Sequence, residues 1–505
     1  METVVLLIFI FLLFLVFVYS LSELNLLLNF FKGRKRKDTS EKLDFSNAEE
    51  IPFVTIQLPI YNEKNVVERL LTNIGKIEYP REKLEIQVLD DSTDDSVLLT
   101  SEVISTLQKN GFDIKHIRRS NRKGFKAGAL KEGLKIAKGE FIAIFDSDFL
   151  PKEDWLLETV PYFKDCKIGV VQTRWGHLNR DFSLLTKIQA FALDFHFILE
   201  QNGRNQGDHF INFNGTAGIW RKQCILEAGN WSGDTLTEDL DLSYRAQLKN
   251  WKFKYLEKVE TPAELPITLP AARSQQFRWN KGAAENFQKN FRTLFRNKNV
   301  TLGTKFHAFF HLLNSSLFLL VLALAIVSVP VLFILDSGNY SGYVQVMAFF
   351  GISTLIFFFC YWITFSHIRG KNWGAFFSYV GMFFTFFSVA MGFSVHNSIA
   401  VMEGHLGKKS EFIRTPKFNI PEKGKNLKAT NAPVKISFQL LLETGLLLYF
   451  VFAIVSAFIL NNFSMILFHL MLVFGFGYVV FQSLNTGDLF PQRKKSLDHT
   501  AVENP

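Results

Sequence analysis

Apolar runs of about twenty residues and more occupy both ends of this chain, and they restrict its fold more than any other feature. A water-soluble core has no use for stretches that long, whereas a hydrocarbon layer of ~30 Å requires them. Val4 to Tyr19 is uninterrupted and continues, more weakly, to Phe31; beyond about residue 305 the richness in Phe, Leu, Ile and Val returns. Between them lies a mixed, more polar middle. With 505 residues there is room for more than one domain. The middle is therefore expected to be a soluble body held between membrane segments, and to carry the chemistry.

Charges flanking the apolar runs predict a topology. "KGRKRK" (32–37) follows the first run and no small-residue cleavage site is evident, so residues 1–31 read as a retained anchor with the following chain in the cytosol. Residues 307–335 and 346–365 are each long enough to cross, and their link "DSGNYSGY" has no Lys or Arg, which places it outside. The run at 373–402 has Arg369 and Lys371 before it and seven Lys or Arg from Lys408 to Lys428 after it. Both flanks look cytosolic, so an interfacial helix or re-entrant turn is expected there. A cytosolic segment, 403–430, comes next. Residues 438–460 and 463–481 form a last hairpin across the bilayer, and the tail, 482–505, ends inside with "QRKK". Five crossings result, in an inner, plasma or Golgi-type membrane.

Three cysteines (Cys166, Cys224, Cys360) cannot build a disulfide framework and lack zinc-type spacing, in keeping with a reducing cytosol. The net charge of +9 is densest beside apolar segments, so membrane topology accounts for it and a nucleic-acid partner is not expected.

Residues 50–300 alternate short apolar runs with helical stretches. Strands are predicted at 53–59, 84–90, 112–117, 140–146 and 168–173, and helices at 63–75, 94–109, 124–138 and 152–163. Such alternation predicts an α/β domain with a mostly parallel, Rossmann-like sheet. Ligands of open sheets of this kind sit beyond the carboxyl ends of the strands. The acidic clusters fall there: Asp90 and Asp91 in "LDDSTDD" after the second strand, Asp146 and Asp148 in "IFDSDFLP" after the fourth. Buried unpaired, such carboxylates would cost several kcal/mol. Asp94 and Asp95 read as ordinary turn and cap residues. Asp146 and Asp148, flanking one serine, have the chemistry to hold a hard divalent cation such as Mg2+ or Mn2+.

The absence of G-x-x-x-x-G-K-[ST] and of G-x-G-x-x-G after the first strand argues against a nucleoside triphosphatase or nicotinamide enzyme. "LPIYNE" offers Pro59, Tyr61 and Glu63, which suit either the clasp of a nucleobase or a plain turn. "LTEDLDLSYR" places Glu238 and Asp239 at a helix start, where the dipole favours carboxylates. "SQQFRWNKGAAEN" carries Gln275, Arg278 and Trp279. Arg offers a fork for phosphate oxygens and Trp a face for a sugar ring, though the same pair suits an interfacial anchor.

Taken in order, "LPIYNE", "VLDDSTD", "NRKGFKAGAL", "FDSDF", "FNGTAG", "LTEDLDLSYR", "QQFRW" and "FIRTPK" resemble the motifs of the processive family 2 glycosyltransferases, which include the cellulose synthases and the mannan and glucomannan synthase-like enzymes. That resemblance implies a GT-A fold, a nucleotide-sugar donor (UDP-glucose or GDP-mannose), a glycan acceptor and a divalent metal. It assigns Asp90 or Asp91 to the nucleoside, Lys126 to the nucleotide, Asp146 and Asp148 to diphosphate and metal, and Asp239 of "TED" to the general base. Arg278 would serve the leaving diphosphate, while Gln275, Trp279, Asn214 and Gly215 would meet the acceptor. "FIRTPK" resembles a gating loop, with Thr415 and Lys417 reaching phosphates and Arg414 standing where the family usually has Val. The expected product is a β-linked polysaccharide passed through the protein's own helices, with a second copy or an export partner completing a narrow conduit. A transferase adding one sugar to a membrane lipid, and a scaffold that kept only the fold, are the alternatives.

Overall fold

The computed structural model describes residues 1–34, 51–338, 340–410, 412–419 and 436–485. The basic residues 35–37 and 492–495, the expected cytosolic segment beyond residue 419 and the tail beyond 485 lie outside the described residues.

The chain begins with one long helix, α1 (Glu2–Gly33). The middle then follows as β1 (Val54–Ile60), α2 (Val67–Ile74), β2 (Leu84–Asp90), α3 (Ser96–Lys109), β3 (Asp113–Arg118), α4 (Phe125–Ile136), β4 (Phe141–Ile144), α5 (Trp155–Thr159), β5 (Ile168–His177) and α6 (Leu184–Asp194). A π-helical turn, Phe195–Gln201, joins α6 to α7 (Asn202–Gln206). Then come β6 (Gly218–Arg221), α8 (Lys222–Glu227), α9 (Glu238–Leu248), β7 (Lys252–Ala263) and the 28-residue α10 (Leu269–Arg296). The sheet runs in the order β3-β2-β1-β4-β6-β5-β7. Every pairing is parallel except those of β6, which is antiparallel to both β4 and β5. All five expected strands are present. The two that were not anticipated, β6 and β7, extend the sheet past β4.

Apolar side chains cover both faces, Ile56, Leu58, Val88 and Trp155 on one and Leu130, Ile142, Ile144 and Trp220 on the other. Even β2, buried at every position, tolerates Glu85 because Thr55 and Lys115 reach its carboxylate at 2.7 and 2.6 Å. The helix expected from residue 63 starts at Val67 instead, because Asn62 adopts a left-handed φ of 54° and the chain must turn before it can coil. The helix expected over 152–163 ends as α at Thr159 and tightens into a 3₁₀ turn at Pro161, which has no N–H to continue the ladder.

Beyond α10 come α11 (Leu302–Leu313), α12 (Leu317–Ser337), α13 (Ser341–Phe350), α14 (Ile352–Arg369), α15 (Trp373–Gly392), α16 (Ser394–His405), α17 (Phe438–Ile459) and α18 (Ile466–Asn485). Among the described residues six helical stretches are long and apolar enough to cross a membrane: Glu2–Gly33, Leu302–Ser337, Ser341–Arg369, Trp373–Gly392, Phe438–Ile459 and Ile466–Asn485. They make the chain a membrane protein. The third of the later stretches, α15, touches the soluble domain at both ends. Arg369, just before it, faces Asp181 at 3.7 Å, and Val389 near its end packs with Leu185 and Leu269. Where α15 crosses α18 a Cβ on Gly475 would meet the Ser388 carbonyl at 1.8 Å, so only glycine allows that approach.

Candidate active site

The first two strand exits are stitched together. Asn62 N–H donates to Ser92 Oγ and Thr93 N–H to Asn62 Oδ1, both at 2.8 Å. This places Pro59, Tyr61 and Glu63 on the wall of a cavity over the strand ends, with Arg122 stacked 3.4 Å from the Tyr61 ring centroid. Asp91 joins that wall, held by Arg119 Nε at 2.9 Å. Asp90 does not. It is 1% exposed and accepts from the Ser92 N–H and the His116 ring at 2.8 Å each, so of the two expected nucleoside contacts only Asp91 faces the cavity. Successive residues leaving a strand point to opposite sides, and only one of the pair can face the hollow.

After β4 the chain lifts off the sheet, and Asp146 N–H donates to Thr216 Oγ1 at 2.8 Å. Asp146 Oδ1 then lies 2.5 Å from Lys126 Nζ, which also donates to the Gly215 carbonyl at 2.8 Å. Gly215 has φ of +79°, and a Cβ there would stand 3.1 Å from Asp239 Oδ2. Asn214 lines the cavity too, but its amide is committed inward, to Gln201 at 2.8 Å and His196 at 3.1 Å.

Helix α10 holds the start of α9 in place. Asn286, fully buried, donates to the Thr237 carbonyl at 3.1 Å and Oγ1 at 2.9 Å, and Glu285 accepts the Leu236 N–H at 2.8 Å. A Cβ on Gly282 would fall 2.5 Å from Thr237 Oγ1, so helix and loop touch directly. Glu238 and Asp239 thus open α9 facing Arg278, one turn before Gly282 on α10. Burial and the adjacent Glu238 carboxylate push Asp239 up to about 7, against the pull of Lys126. Glu238 is raised as well, chiefly by burial. For Lys126 burial acts against the charge, yet Asp146 and Glu238 outweigh it and raise the ammonium. Arg278 is lowered by burial to about 10.

The far wall belongs to α10 and its neighbours. Gln275, Arg278 and Trp279 line the cavity, with Trp175 of β5 6.4 Å from the Trp279 ring. Over the top runs residues 412–419. Arg278 donates to the Ile413 carbonyl at 2.5 Å and to Thr415 Oγ1 at 2.9 Å, and Lys417 Nζ reaches Asp148 Oδ1 at 2.5 Å and Ser147 Oγ at 3.0 Å. Sequence reasoning left out Arg122, Trp175, Glu264, Gly282 and Asn286. Only the i, i+4, i+8 spacing of Arg278, Gly282 and Asn286 marked any of them in advance.

Asp146 and Asp148 offer hard oxygen donors only, each already facing a cation. No group of three or more His, Cys, Asp or Glu side chains among the described residues forms a cage. A divalent ion that takes two carboxylates and completes its shell with phosphates and water fits that donor set.

The sheet order, with acidic exits gathered over one hollow, is that of a GT-A glycosyltransferase. Residues 52–282 match the family model described as glycosyltransferase like family 2. The chain is similar to a probable glucomannan 4-beta-mannosyltransferase 4 of Oryza sativa subsp. japonica, 44% identical over 266 residues, which cover 52% of this chain and 48% of that protein. Similarity to glucomannan 4-beta-mannosyltransferase 9 of Arabidopsis thaliana is 42% over 284 residues, covering 55% and 53% respectively. The chain thus spans about half the length of the curated relatives it matches. A mannosyltransferase, PcManGT from Pyrobaculum calidifontis, solved in complex with GDP-Man and Mn2+, shares the fold with a TM-score of 0.53 and 17% identity, covering 80% of this chain and all of that one.

Proposed function

We propose that this protein is a membrane-embedded inverting hexosyltransferase that extends a β-linked glycan from a nucleotide-sugar. One observation carries the reading: Asp146, Asp148, Asp239, Arg278 and Trp279, drawn from three separate stretches of sequence, line a single cavity. The names of the relatives favour mannose, and so GDP-mannose as donor, with UDP-glucose second.

The charges define the roles. A departing nucleoside diphosphate gathers negative charge, and Lys126, Arg278 and Lys417 are positioned to receive it, with Thr415 donating a hydroxyl. Asp146 and Asp148 would hold a divalent ion, which when bound supplies further positive charge to the diphosphate. Asp239 takes the proton of the attacking hydroxyl, and a group that titrates near 7 is matched to that task at neutral pH. Glu238 beside it keeps that value high. Trp279 and Trp175 give the acceptor's terminal sugar an aromatic wall. A single displacement turns an α-linked donor into a β-linked product.

The soluble domain faces the cytosol, and α15 lies along the interface instead of crossing, leaving five crossings. Its contacts with the soluble domain at both ends support that arrangement. The product would leave through the helices, in a conduit narrow enough to need a second copy or an export partner.

The test is a donor screen. Membranes containing the protein are supplied with radiolabelled GDP-mannose or UDP-glucose, and the product is digested with linkage-specific glycanases. Alcohol-insoluble, β-glycanase-sensitive label supports the reading. Label only in the lipid extract points to a glycolipid, and no incorporation removes the enzyme.

A further inference from the structure

We infer that Arg414 is a positioning residue: its bidentate pair with Glu63 latches the strap formed by residues 412–419 over the donor side of the cavity. The inference rests on the transferase reading above.

Three contacts form the latch. Arg414 Nε donates to Glu63 Oε1 at 2.8 Å, one terminal nitrogen to Glu63 Oε2 at 2.5 Å, and the other to the Asn62 carbonyl at 2.7 Å. Two parallel N–H···O bonds to one carboxylate are the strong geometry for arginine, and lysine cannot reproduce them. The Glu63 side chain is 7% exposed and that of Arg414 24%, so water screens the pair only in part. The receiving site is prepared. Asn62 takes its left-handed turn, tied to Ser92 and Thr93, and presents its carbonyl beside the Glu63 side chain. A valine at position 414 could make none of these contacts.

What sets Arg414 apart from the strap's Arg278 and Lys417 anchors is that it forms a bidentate ion pair with a carboxylate that has no other duty in the reaction. The strap has other polar anchors, among them Asn65, which donates to the Lys417 carbonyl at 3.0 Å, and Ser274, whose hydroxyl lies 3.4 Å from the Ile413 carbonyl. Arg278 holds Ile413 and Thr415, Asp148 holds Lys417, Glu264 receives the N–H of Phe418 and Asn419, and Arg69 bonds Asn419 Oδ1 at 2.8 Å. Arg278 and Asp148 are the groups that the diphosphate and its cation would claim. When the donor enters, those two anchors must be released from the strap, whereas Glu63 has both oxygens engaged by Arg414 and can keep them. The strap then remains docked while Thr415 and Lys417 turn to the phosphates. The same pairing withdraws Glu63 from the nucleobase, leaving the Tyr61 ring and Arg122 as the flat and charged surfaces at that end.

The test uses the full chain in nanodiscs, with wild type, Arg414→Ala, Arg414→Lys and the exchanged pair Glu63→Arg/Arg414→Glu. Hydrogen exchange at residues 412–419 should rise about tenfold in Arg414→Ala, remain raised in Arg414→Lys and return toward wild type in the exchanged pair. The donor KM should rise about tenfold in Arg414→Ala while kcat falls less, the mark of a lost closing equilibrium. Unchanged exchange in Arg414→Ala overturns the latch, as does failure of the exchanged pair to slow it. Raised exchange with an unaltered donor KM overturns the positioning role. If no sugar is transferred by any variant, wild type included, the transferase reading fails, and the exchange measurement still decides whether the latch exists.

Discussion

Lys126 stands 2.5 Å from Asp146 and bonds the carbonyl of Gly215, the residue whose missing side chain makes room for Asp239. One ammonium therefore links the Asp146 carboxylate to the surroundings of Asp239. Replacing it with methionine keeps the stem and removes the charge that lowers Asp239. Lys126→Met should move the acid limb of the pH–rate profile to higher pH and weaken nucleoside diphosphate binding by about tenfold or more. A profile that stays in place shows that the two groups are not coupled.

Asp239 dictates the pH dependence. An ordinary aspartate ionises below pH 4; here burial and Glu238 raise it to about 7. The base form appears only as pH climbs through that value, so kcat/KM should rise to a plateau above it. Stability runs the other way. A carboxyl raised by folding favours the protonated native state, so its stabilising effect is complete below its ordinary value and disappears as pH rises through about 7. Asp239→Asn, neutral throughout, should therefore gain more Tm over wild type at pH 8 than at pH 5, and none at pH 3, as thermal unfolding in detergent would record.

Gly215→Ala is expected to cost activity without unfolding the domain. The φ of +79° disfavours any side chain, and the new methyl would crowd Asp239 Oδ2 at 3.1 Å. A loss of about tenfold or more in kcat, with far-UV circular dichroism unchanged, is the expected pair of results.

Chelation should silence transfer, and Mn2+ or Mg2+ should restore it. Asp148→Ala removes one of two available carboxylates, so restoration should demand about tenfold more metal. Activity that persists in excess chelator would remove Asp146 and Asp148 from that role.

Much of the fold was legible because the middle strands are short apolar runs that each stop at a polar or acidic turn. "EFIAIFD" and "LEIQVLD" announce both a strand and its exit. β6 has four residues, too few for a periodic signal, and in β7 polar residues interrupt the pattern, so both went unread. In the site, nearly every residue that the ordered motifs singled out lines the cavity, but the choice between Asp90 and Asp91 needed the actual strand exit. Arg414 and Glu63 are 351 positions apart, a separation at which no local spacing can reveal a partner. Asn286 looked like one more polar residue on a helix until Thr237 was found against it.

The most direct measurement is incorporation of labelled hexose from nucleotide-sugar by wild type and Asp239→Asn side by side, in membranes matched for protein, together with nucleoside diphosphate affinity. Wild type should make β-glycanase-sensitive polymer, the variant roughly a hundredfold less or lower still, and both should retain nucleotide binding. Equal synthesis by the two proteins would contradict the proposed role of Asp239.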